Sequence, residues 1–421
     1  MQHFRLELET LQSKWSDEPN TLSLLRQKAF SRFIELGFPT KKWEDWQFTD
    51  FSPFDKTEFR MASAEDLNSA KDYHIQSIGN FYSIVILNGH YQPQLSHVPE
   101  GVTIQTLPDL LLIDELIDFS PSEENPFVAL NTSLMNSGLA IGIADGIKLT
   151  KPIHYQFLTT NLTDMVMNHP RLLIQMGDNA SVSIIEQYNS DSSKLYWNNC
   201  VTIVKIGLNS SLNHYRILED TGYYTGSMEY HLQKDAALNA TYFSKSSKLF
   251  RSNVRIHFQG QNAVAELNGL SLSKDNQHVD MQVIVDHQHP HCTSNQYFKY
   301  ILDDYAGGVF NGRVIVRKNS QKTDSSQTNK NLLLSKTASM HSNPQLEIYA
   351  DDVRCSHGSS TGQLDEDALY YLRTRGIDIS TAHQLMVEGF GGEVLSKIKD
   401  ESTSAYLHKQ LTTWLEELNN E

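Results

Sequence analysis

The chain has 421 residues, of which 39% are hydrophobic and 20% charged, and its formal net charge is -15 at pH 7. This acidic balance argues against broad nucleic-acid binding, which needs a basic surface. No apolar run approaches the length of a membrane span, and the first residues lack the basic-then-apolar layout of a signal peptide. We therefore expect a cytoplasmic protein without a membrane or nucleic-acid partner.

Residues 1–80 are predicted to form a helical region. The stretch TLSLLRQKAFSRFIELGFP repeats apolar side chains at helical spacing, at Leu22, Leu25, Ala29 and Phe33. This pattern is typical of an amphipathic helix that packs one face against the rest of the protein.

Residues 81–355 are predicted to form a β-rich core. Short runs such as VSIIEQY and VTIVKIG are rich in Val and Ile and are broken by Asn, Gly or Asp. A polar turn followed by a strand recurs at residues 177, 207, 234 and 260, at intervals of 30, 27 and 26 residues. Such recurrence favours a β-solenoid with stacked turns. Because the repeat is loose and its inward and outward positions do not stay in phase, a jelly roll or sandwich is an alternative.

Residues 356–421 are predicted to be helical again. The run DEDALYYLRTRG has Asp365 as its N-cap and Gly376 as its stop. The last predicted helix carries one apolar face, formed by Leu407, Leu411, Trp414, Leu415 and Leu418.

The chain contains three cysteines, Cys200, Cys292 and Cys355. They are odd in number, widely separated and not arranged as a CxxC pair, so they indicate neither a disulfide framework nor a self-contained metal site. An iron–sulfur cluster held by four thiolates would need ligands from another chain.

Cys355 and His357 lie two residues apart after the strand-like run PQLEIYADDVR. If the strand continues, both side chains face the same side, where a thiol and an imidazole can share a proton. No third orienting group is evident, so a protease-type triad has little support. The alternative interpretation is a buried thiol beside a structural histidine at a strand end.

The densest group of metal-ligand residue types is DHQHPHC, which contains His287, His289 and Cys292. Histidine and cysteine bind zinc and iron, although this spacing matches no familiar metal signature. A metal-dependent enzyme that uses these three residues is therefore one hypothesis.

A second hypothesis is a stand-alone β-helix protein that binds or cleaves polysaccharide. The acidic pairs Asp303–Asp304 and Asp351–Asp352 supply the residue type that glycosidases use. However, adjacent carboxylates in a strand face opposite sides and would not flank one bond.

The stretch from Phe310 to Ile377, which includes DDVRCSHGSSTG, closely resembles the signature region of the SufB/SufD family of iron–sulfur cluster assembly proteins. The Cys-Ser-His-Gly sequence is most similar to the SufD branch. Weaker similarity extends to GFPTKKWEDWQFTD near the start. The matching pieces are Gly312, Gln321 to Asp324, Gln327, Asn329 to Ser335, Pro344 to Ile348, Asp351 to His357 and Tyr371 to Gly376.

The resemblance implies a right-handed parallel β-helix between two helical regions, and a scaffold rather than an enzyme. It implies pairing with a SufB-like paralogue through the β-helix ends, and docking of a SufC-like ABC ATPase through the C-terminal helices. The complex would accept sulfur from a cysteine desulfurase system and build a transient Fe–S cluster. The chain alone would bind no cofactor, and reduced flavin would bind only in the complex.

The resemblance also implies roles for particular residues. His357 is expected at the interface with the paralogue, as a metal ligand shared with it, and Cys355 is expected beside it. An exposed β-helix edge favours association, so a homodimer is expected when the paralogue is absent. Apolar residues in excess of what short helices need for their own packing predict the ATPase-docking surface; these are Leu369, Tyr370, Tyr371, Leu385, Met386 and Phe390.

Overall fold

The computed structural model describes residues 1–14, 20–68, 78–106, 124–245 and 247–419. Helices precede and follow a β-rich centre, and short 3-10 helices lie at Glu44–Trp46 and Pro93–Leu95. The helices are α1 (Gln2–Lys14), α2 (Asn20–Leu36), α3 (Ser52–Lys56), α4 (Glu65–Asn68), α5 (Pro126–Leu134), α6 (Glu366–Thr374), α7 (Ile379–Leu395) and α8 (Glu401–Asn419). Within these ranges, no helix combines the length and apolar character that a membrane crossing requires.

The strands form two sheets, with strand orders β20-β18-β16-β14-β12-β10-β8-β5-β4 in sheet A and β21-β19-β17-β15-β13-β11-β9-β6-β2-β3 in sheet B. Their bounds are β1 (Arg60–Met61), β2 (Tyr82–Leu87), β3 (His90–Tyr91), β4 (Val102–Thr106), β5 (Ser137–Ile143), β6 (Ile153–Thr159), β7 (Val166–Asn168), β8 (Pro170–Met176), β9 (Ser181–Ser190), β10 (Tyr196–Ile206), β11 (Ser211–Glu219), β12 (Tyr223–Leu232), β13 (Ala237–Lys245), β14 (Leu249–Phe258), β15 (Val264–Ser273), β16 (His278–His287), β17 (Thr293–Leu302), β18 (Gly307–Val316), β19 (Asp324–Leu333), β20 (Ser339–Ile348) and β21 (Arg354–Gly362).

From β8 onward, consecutive strands alternate between the two sheets, and each strand pairs in parallel with the next strand but one. The predicted parallel β-solenoid between helical regions is therefore confirmed. A jelly roll or sandwich is excluded, because those folds are built from antiparallel strands.

The recurring polar turns form one corner of the solenoid. Asn179, Asn209, Asp235 and Asn262 all have positive φ, between 52° and 61°. Asn and Asp tolerate this left-handed conformation better than other non-glycine residues, which explains their recurrence.

The expectation that the repeat loses its inward and outward phase is wrong. Ser211 pairs with Ser181 on one side and with Ala237 on the other, so the strands that follow successive turns stay aligned. The intervals between successive polar turns differ because the segments between strands differ in length, and pairing does not constrain the register of those segments.

The solenoid interior is a stack of inward-facing side chains. Leu212, Leu238 and Ala265 occupy one column on neighbouring strands of sheet B, and each is at most 1% exposed. Burial of such side chains contributes about 1.5–3 kcal/mol for each leucine. The stacked apolar columns therefore hold the middle turns together.

The N-terminal region packs against the outer face of sheet A. The ring of Phe54 lies 4.7 Å from that of Trp197 and 4.9 Å from that of Tyr223. The Arg251 guanidinium lies 3.9 Å from the centre of the Trp46 ring and forms an ion pair with Asp280. These contacts fix the N-terminal helices to the strands that follow.

The C-terminal helices pack against the outer face of sheet B. The predicted apolar face of α8 is confirmed, because Leu407, Leu411, Trp414 and Leu415 are buried in one cluster with Tyr215, Phe243 and Leu270 of the sheet, and Leu418 packs at its margin. Asp365 caps α6 by accepting hydrogen bonds from the N–H groups of Asp367 and Ala368, as the sequence predicts.

Candidate functional site

The two ends of the solenoid differ. At the first end, β3 and β4 are short and pair antiparallel with their neighbours. At the other end, β20 and β21 are long parallel strands, and the described residues place no strand beyond them. Most side chains of β21 are exposed, whereas β19, the strand below it, has a single exposed residue. The last turn therefore presents open edges and an open interior.

Cys355 and His357 both lie on β21 in this last turn. The expected continuous strand is in fact two strands, because the chain turns after Ile348 and enters the other sheet at Arg354. The boundary predicted between residues 355 and 356 falls within β21, which pairs with β19.

Cys355 faces inward. It packs against the small cluster of Val314, Val316 and Ala350 at the end of the interior. His357 is two residues further along the same strand and therefore shares this face, but its side chain is exposed. The structure thus places both predicted residues on the inward face of the open turn.

The strand below supplies a polar inward row that the sequence analysis missed. Ser325, Gln327, Asn329 and Asn331 are buried on β19 and alternate with more exposed residues. Gln327 Nε2 donates to Gln296 Oε1 at 3.0 Å. The sequence does contain a pattern for this row, because polar residues recur at every second position. However, polar residues at such spacing usually form the solvent-exposed face of a strand, so the pattern does not by itself predict a buried row.

The three residues of the second predicted metal group do not bring their ligand atoms together as a metal site would require. His287 is buried, and its Nε2 lies 2.9 Å from Ser294 Oγ. His289 is exposed, whereas Cys292 is buried and its thiol donates to the Gly260 carbonyl at 3.3 Å. Burial lowers the pKa of His287 to about 4, so its ring is neutral at neutral pH.

His287 is nevertheless connected to the last turn. Ser294 Oγ, its partner, lies 2.8 Å from Ser325 Oγ. Ser325 in turn pairs with Cys355 across β19 and β21. Two hydroxyl groups, those of Ser294 and Ser325, therefore lie between the buried imidazole of His287 and the strand position of Cys355.

The three thiols differ in accessibility. Burial raises the pKa of Cys200 to about 12. Burial also raises the pKa of Cys292. Cys355 is half-buried, and burial followed by the charge of Asp324 raises its pKa. Cys355 is therefore the thiol within reach of a partner, and the isolated chain keeps it mainly protonated.

Helix α6 has no buried side chain. Tyr370 and Tyr371 of α6 and Leu385 of α7 are exposed, by 69%, 56% and 46%, respectively. Leu369 and Met386, which were also predicted at the docking surface, are half-buried. An amphipathic helix that buries nothing leaves its apolar side chains available to another molecule.

Phe390 differs from the other predicted docking residues. It packs at the margin of the cluster between α7, α8 and sheet B. Lys299 of β17 lies 4.2 Å from the centre of the Phe390 ring and donates to the Phe390 carbonyl at 2.9 Å. Lys299 also pairs with Glu393. These contacts, which the sequence did not predict, anchor α7 on the solenoid.

Two family models match the chain. Residues 157–390 match the SufBD core domain of the SUF system for FeS cluster assembly. Residues 2–155 match the N-terminal region of SufBD proteins. Together they cover both the solenoid and the helical region before it.

Similar proteins come from bacteria and plants. An iron–sulfur cluster assembly SufBD family protein of Synechocystis is 31% identical over 90% of this chain and 88% of its own length. The iron–sulfur cluster assembly protein SufD of Escherichia coli is 28% identical over 89% of each chain. The chloroplastic protein ABCI7 of Arabidopsis thaliana is 28% identical over 94% of this chain and 87% of its own length.

Proposed function

Because the chain belongs to the SufBD family of iron–sulfur cluster assembly proteins, we propose that it acts as a SufD-type scaffold. In this role it pairs with a SufB-type paralogue, docks a SufC-type ATPase and contributes part of a site where an Fe–S cluster is built. The observation that carries the proposal is the open last turn, in which His357 is exposed and Cys355 is half-buried. The family match favours this function over polysaccharide binding.

Pairing is proposed at the edges of β20 and β21. A strand edge presents unpaired N–H and C=O groups that a second sheet can satisfy. Ile348 and Tyr349, at the end of β20, are 42% and 61% exposed, and thus add apolar surface beside these edges. A SufB-type solenoid placed end to end would continue both sheets. Without that partner, a second copy of this chain would supply hydrogen-bond partners for the same strand edges and form a homodimer.

The cluster under construction is the cargo of this site, and this chain supplies only part of its ligands. Iron–sulfur clusters are held mainly by cysteine thiolates, and histidine replaces some of them in certain centres. The last turn offers one thiol and one imidazole, at Cys355 and His357. The remaining ligands would come from the partner. Sulfur would come from a cysteine desulfurase system, and reduced flavin would be bound by the complex.

ATPase docking is proposed at α6 and the adjoining part of α7. Tyr370, Tyr371 and Leu385 form the accessible part of this surface. A helix whose apolar side chains insert into a groove is a common recognition mode. Phe390 supports this surface from within, because it holds α7 against β17.

The test is co-expression of the chain with the SufB-type and SufC-type proteins of the same SUF system. His357→Ala should leave the complex intact but lower its iron and acid-labile sulfide content, because an imidazole near the cluster is lost. Cys355→Ser should have a smaller effect, because most sulfur acceptors are expected on the partner. The readouts are complex yield, iron and sulfide per complex, and the melting temperature of the isolated chain.

Ser356→Ala is the matched control, because Ser356 is exposed and lies between the two residues on the opposite face of β21. It should change neither cluster content nor stability. Normal cluster content in His357→Ala would contradict the shared-site proposal. A large drop in melting temperature with His357→Ala would instead indicate a structural histidine.

A further inference from the structure

A group of three potential metal ligands lies on the outer face of sheet A, far along the chain from Cys355 and His357. It consists of Glu229 and His231 on β12 and His257 on β14. His231 and His257 are direct partners in the parallel register, and Glu229 lies two residues before His231 on the same face. The sheet geometry itself therefore brings the three side chains together.

The ligand atoms converge without forming hydrogen bonds. Glu229 Oε2 lies 3.6 Å from His231 Nε2 and 3.9 Å from His257 Nε2. The two imidazole rings are stacked, with centroids 4.9 Å apart and planes inclined by 6°. In a tetrahedral site with bonds of about 2.0–2.1 Å, ligand atoms are separated by about 3.4 Å. The observed separations are slightly larger, so small side-chain rotations suffice to enclose an ion.

A cleft of about 390 Å³ lies next to this group. The N-terminal region contributes Asp45 and Trp46 to its wall, and sheet A contributes Gln282. Glu229, His231 and His257 are only 14–18% exposed. An ion at this position would be shielded on the sheet side and accessible from the cleft, which leaves a coordination position for water or for an exchanging ligand.

A second layer of hydrogen bonds can orient His231. Its Nδ1 lies 3.0 Å from the Gln259 side-chain amide, which also contacts the Gln233 amide at 3.1 Å. Rotation of both amides by 180° turns the Gln259 oxygen toward Nδ1, so that Nδ1–H donates and Nε2 is free for a metal. Such a partner on the far ring nitrogen is a regular feature of metal-binding histidines.

We propose that Glu229, His231 and His257 form a binding site for one divalent first-row transition-metal ion. Two imidazoles and one carboxylate suit Zn²⁺, Fe²⁺ or Co²⁺ better than Mg²⁺ or Ca²⁺, which prefer ligand sets made of oxygen. The site is separate from the last turn and does not depend on the proposed scaffold function.

The experiment uses the full chain with Cys355→Ser, which removes the accessible thiol as a competing ligand. Metal-free protein is titrated with Zn²⁺ by calorimetry and with Co²⁺ by visible absorption, and Mg²⁺ serves as the reference ion. One equivalent of Zn²⁺ should bind and raise the melting temperature. Co²⁺ should give a d–d absorption band, and Mg²⁺ should produce neither effect.

The paired change His231→Gln with His257→Gln should weaken Zn²⁺ affinity by more than about tenfold, because even lost second-layer contacts cost that much. The control pair His383→Gln with His408→Gln removes two exposed histidines of the C-terminal helices and should leave affinity unchanged. If the double ligand variant does not fold, Glu229→Gln replaces it, with the same expected direction. Absence of Zn²⁺ binding in the parent protein, or unchanged affinity in the ligand variants, would overturn the proposal.

Discussion

The middle turns of the solenoid and its last turn share one strand register but differ in the polarity of their inward-facing side chains. One column of sheet B begins with Leu212 and Leu238 in the middle and continues through Ser294 and Ser325 to Cys355 at the end. The column therefore changes from apolar to hydroxylated and then to a thiol. The interior thus becomes more polar toward the last turn, where one face of the turn is no longer covered by a further strand of the described residues.

The middle turns also enclose a buried ion pair with a histidine beside it. Glu186 lies 3.1 Å from Arg216 and 3.1 Å from His214, and all three side chains are at most 1% exposed. Burial alone would raise the pKa of Glu186, but Arg216 and His214 hold it at about 2. Glu186 thus finds its partners within the closed region, whereas His357 of the last turn is exposed and Cys355 is half-buried.

The largest expected effect comes from breaking the closed region. Arg216→Met should destabilise the chain by about 3–5 kcal/mol, because it leaves the Glu186 carboxylate buried without its main partner. Chemical denaturation of the isolated chain measures this change. The control is Arg32→Met, which removes an exposed ion pair with Glu35 and should cost less than about 1 kcal/mol. Equal effects of the two changes would refute the proposed contrast.

A smaller effect is expected at the helical surface beside the open region. Tyr370→Asp with Tyr371→Asp should weaken binding of the SufC-type ATPase by about tenfold or more, because both side chains are candidate apolar anchors. Folding should be unaffected, since α6 buries no side chain. Calorimetric titration with the ATPase measures the affinity.

Leu24→Asp is the matched control for this test. Leu24 is 66% exposed, nearly the same as Tyr370, but lies on α2, in the N-terminal region that packs against sheet A rather than sheet B. ATPase affinity should not change in this variant. Unchanged affinity in the folded Tyr370 and Tyr371 variant would exclude this docking surface.

The smallest expected effect is a difference in thiol reactivity between the closed middle turns and the open last turn. It is measured without altering the sequence. Iodoacetamide should label Cys355 in the native chain, whereas Cys200 should react only after unfolding. Because the pKa of Cys355 is raised, its thiolate fraction at pH 7 is smaller than that of a free thiol, and labelling should accelerate about tenfold per pH unit below the pKa. Mass spectrometry of labelled peptides resolves the sites, and preferential labelling of Cys200 would contradict the assignment.

Much of the fold was predictable from the sequence, because its signals are local. The turn residues Asn179, Asn209, Asp235 and Asn262 marked one corner, and the apolar face of α8 marked the helix that covers sheet B. The alignment of inward-facing and outward-facing positions in successive turns was not predictable from the sequence pattern. It depends on how segments of unequal length between strands restore register, and pairing between distant strands decides this.

The site was predictable only in part. Cys355 and His357 were found through a motif, but their inward direction depends on β21 being a separate strand paired with β19. Glu229 and His231 are separated from His257 by a whole turn of the solenoid, so no local spacing links them. The polar row of β19 follows a period of two but was missed, because its burial is a property of the turns around it.

The most direct test of the central claim, that the open last turn is the pairing surface, is hydrogen–deuterium exchange of the chain alone and in complex with the SufB-type partner. The account predicts that amides of β20 and β21 are protected at least about tenfold more strongly in the complex, because edge N–H groups gain partners there. Amides of β9 to β15 should exchange equally slowly in both states. A stable complex that leaves exchange in β20 and β21 unchanged would contradict the account.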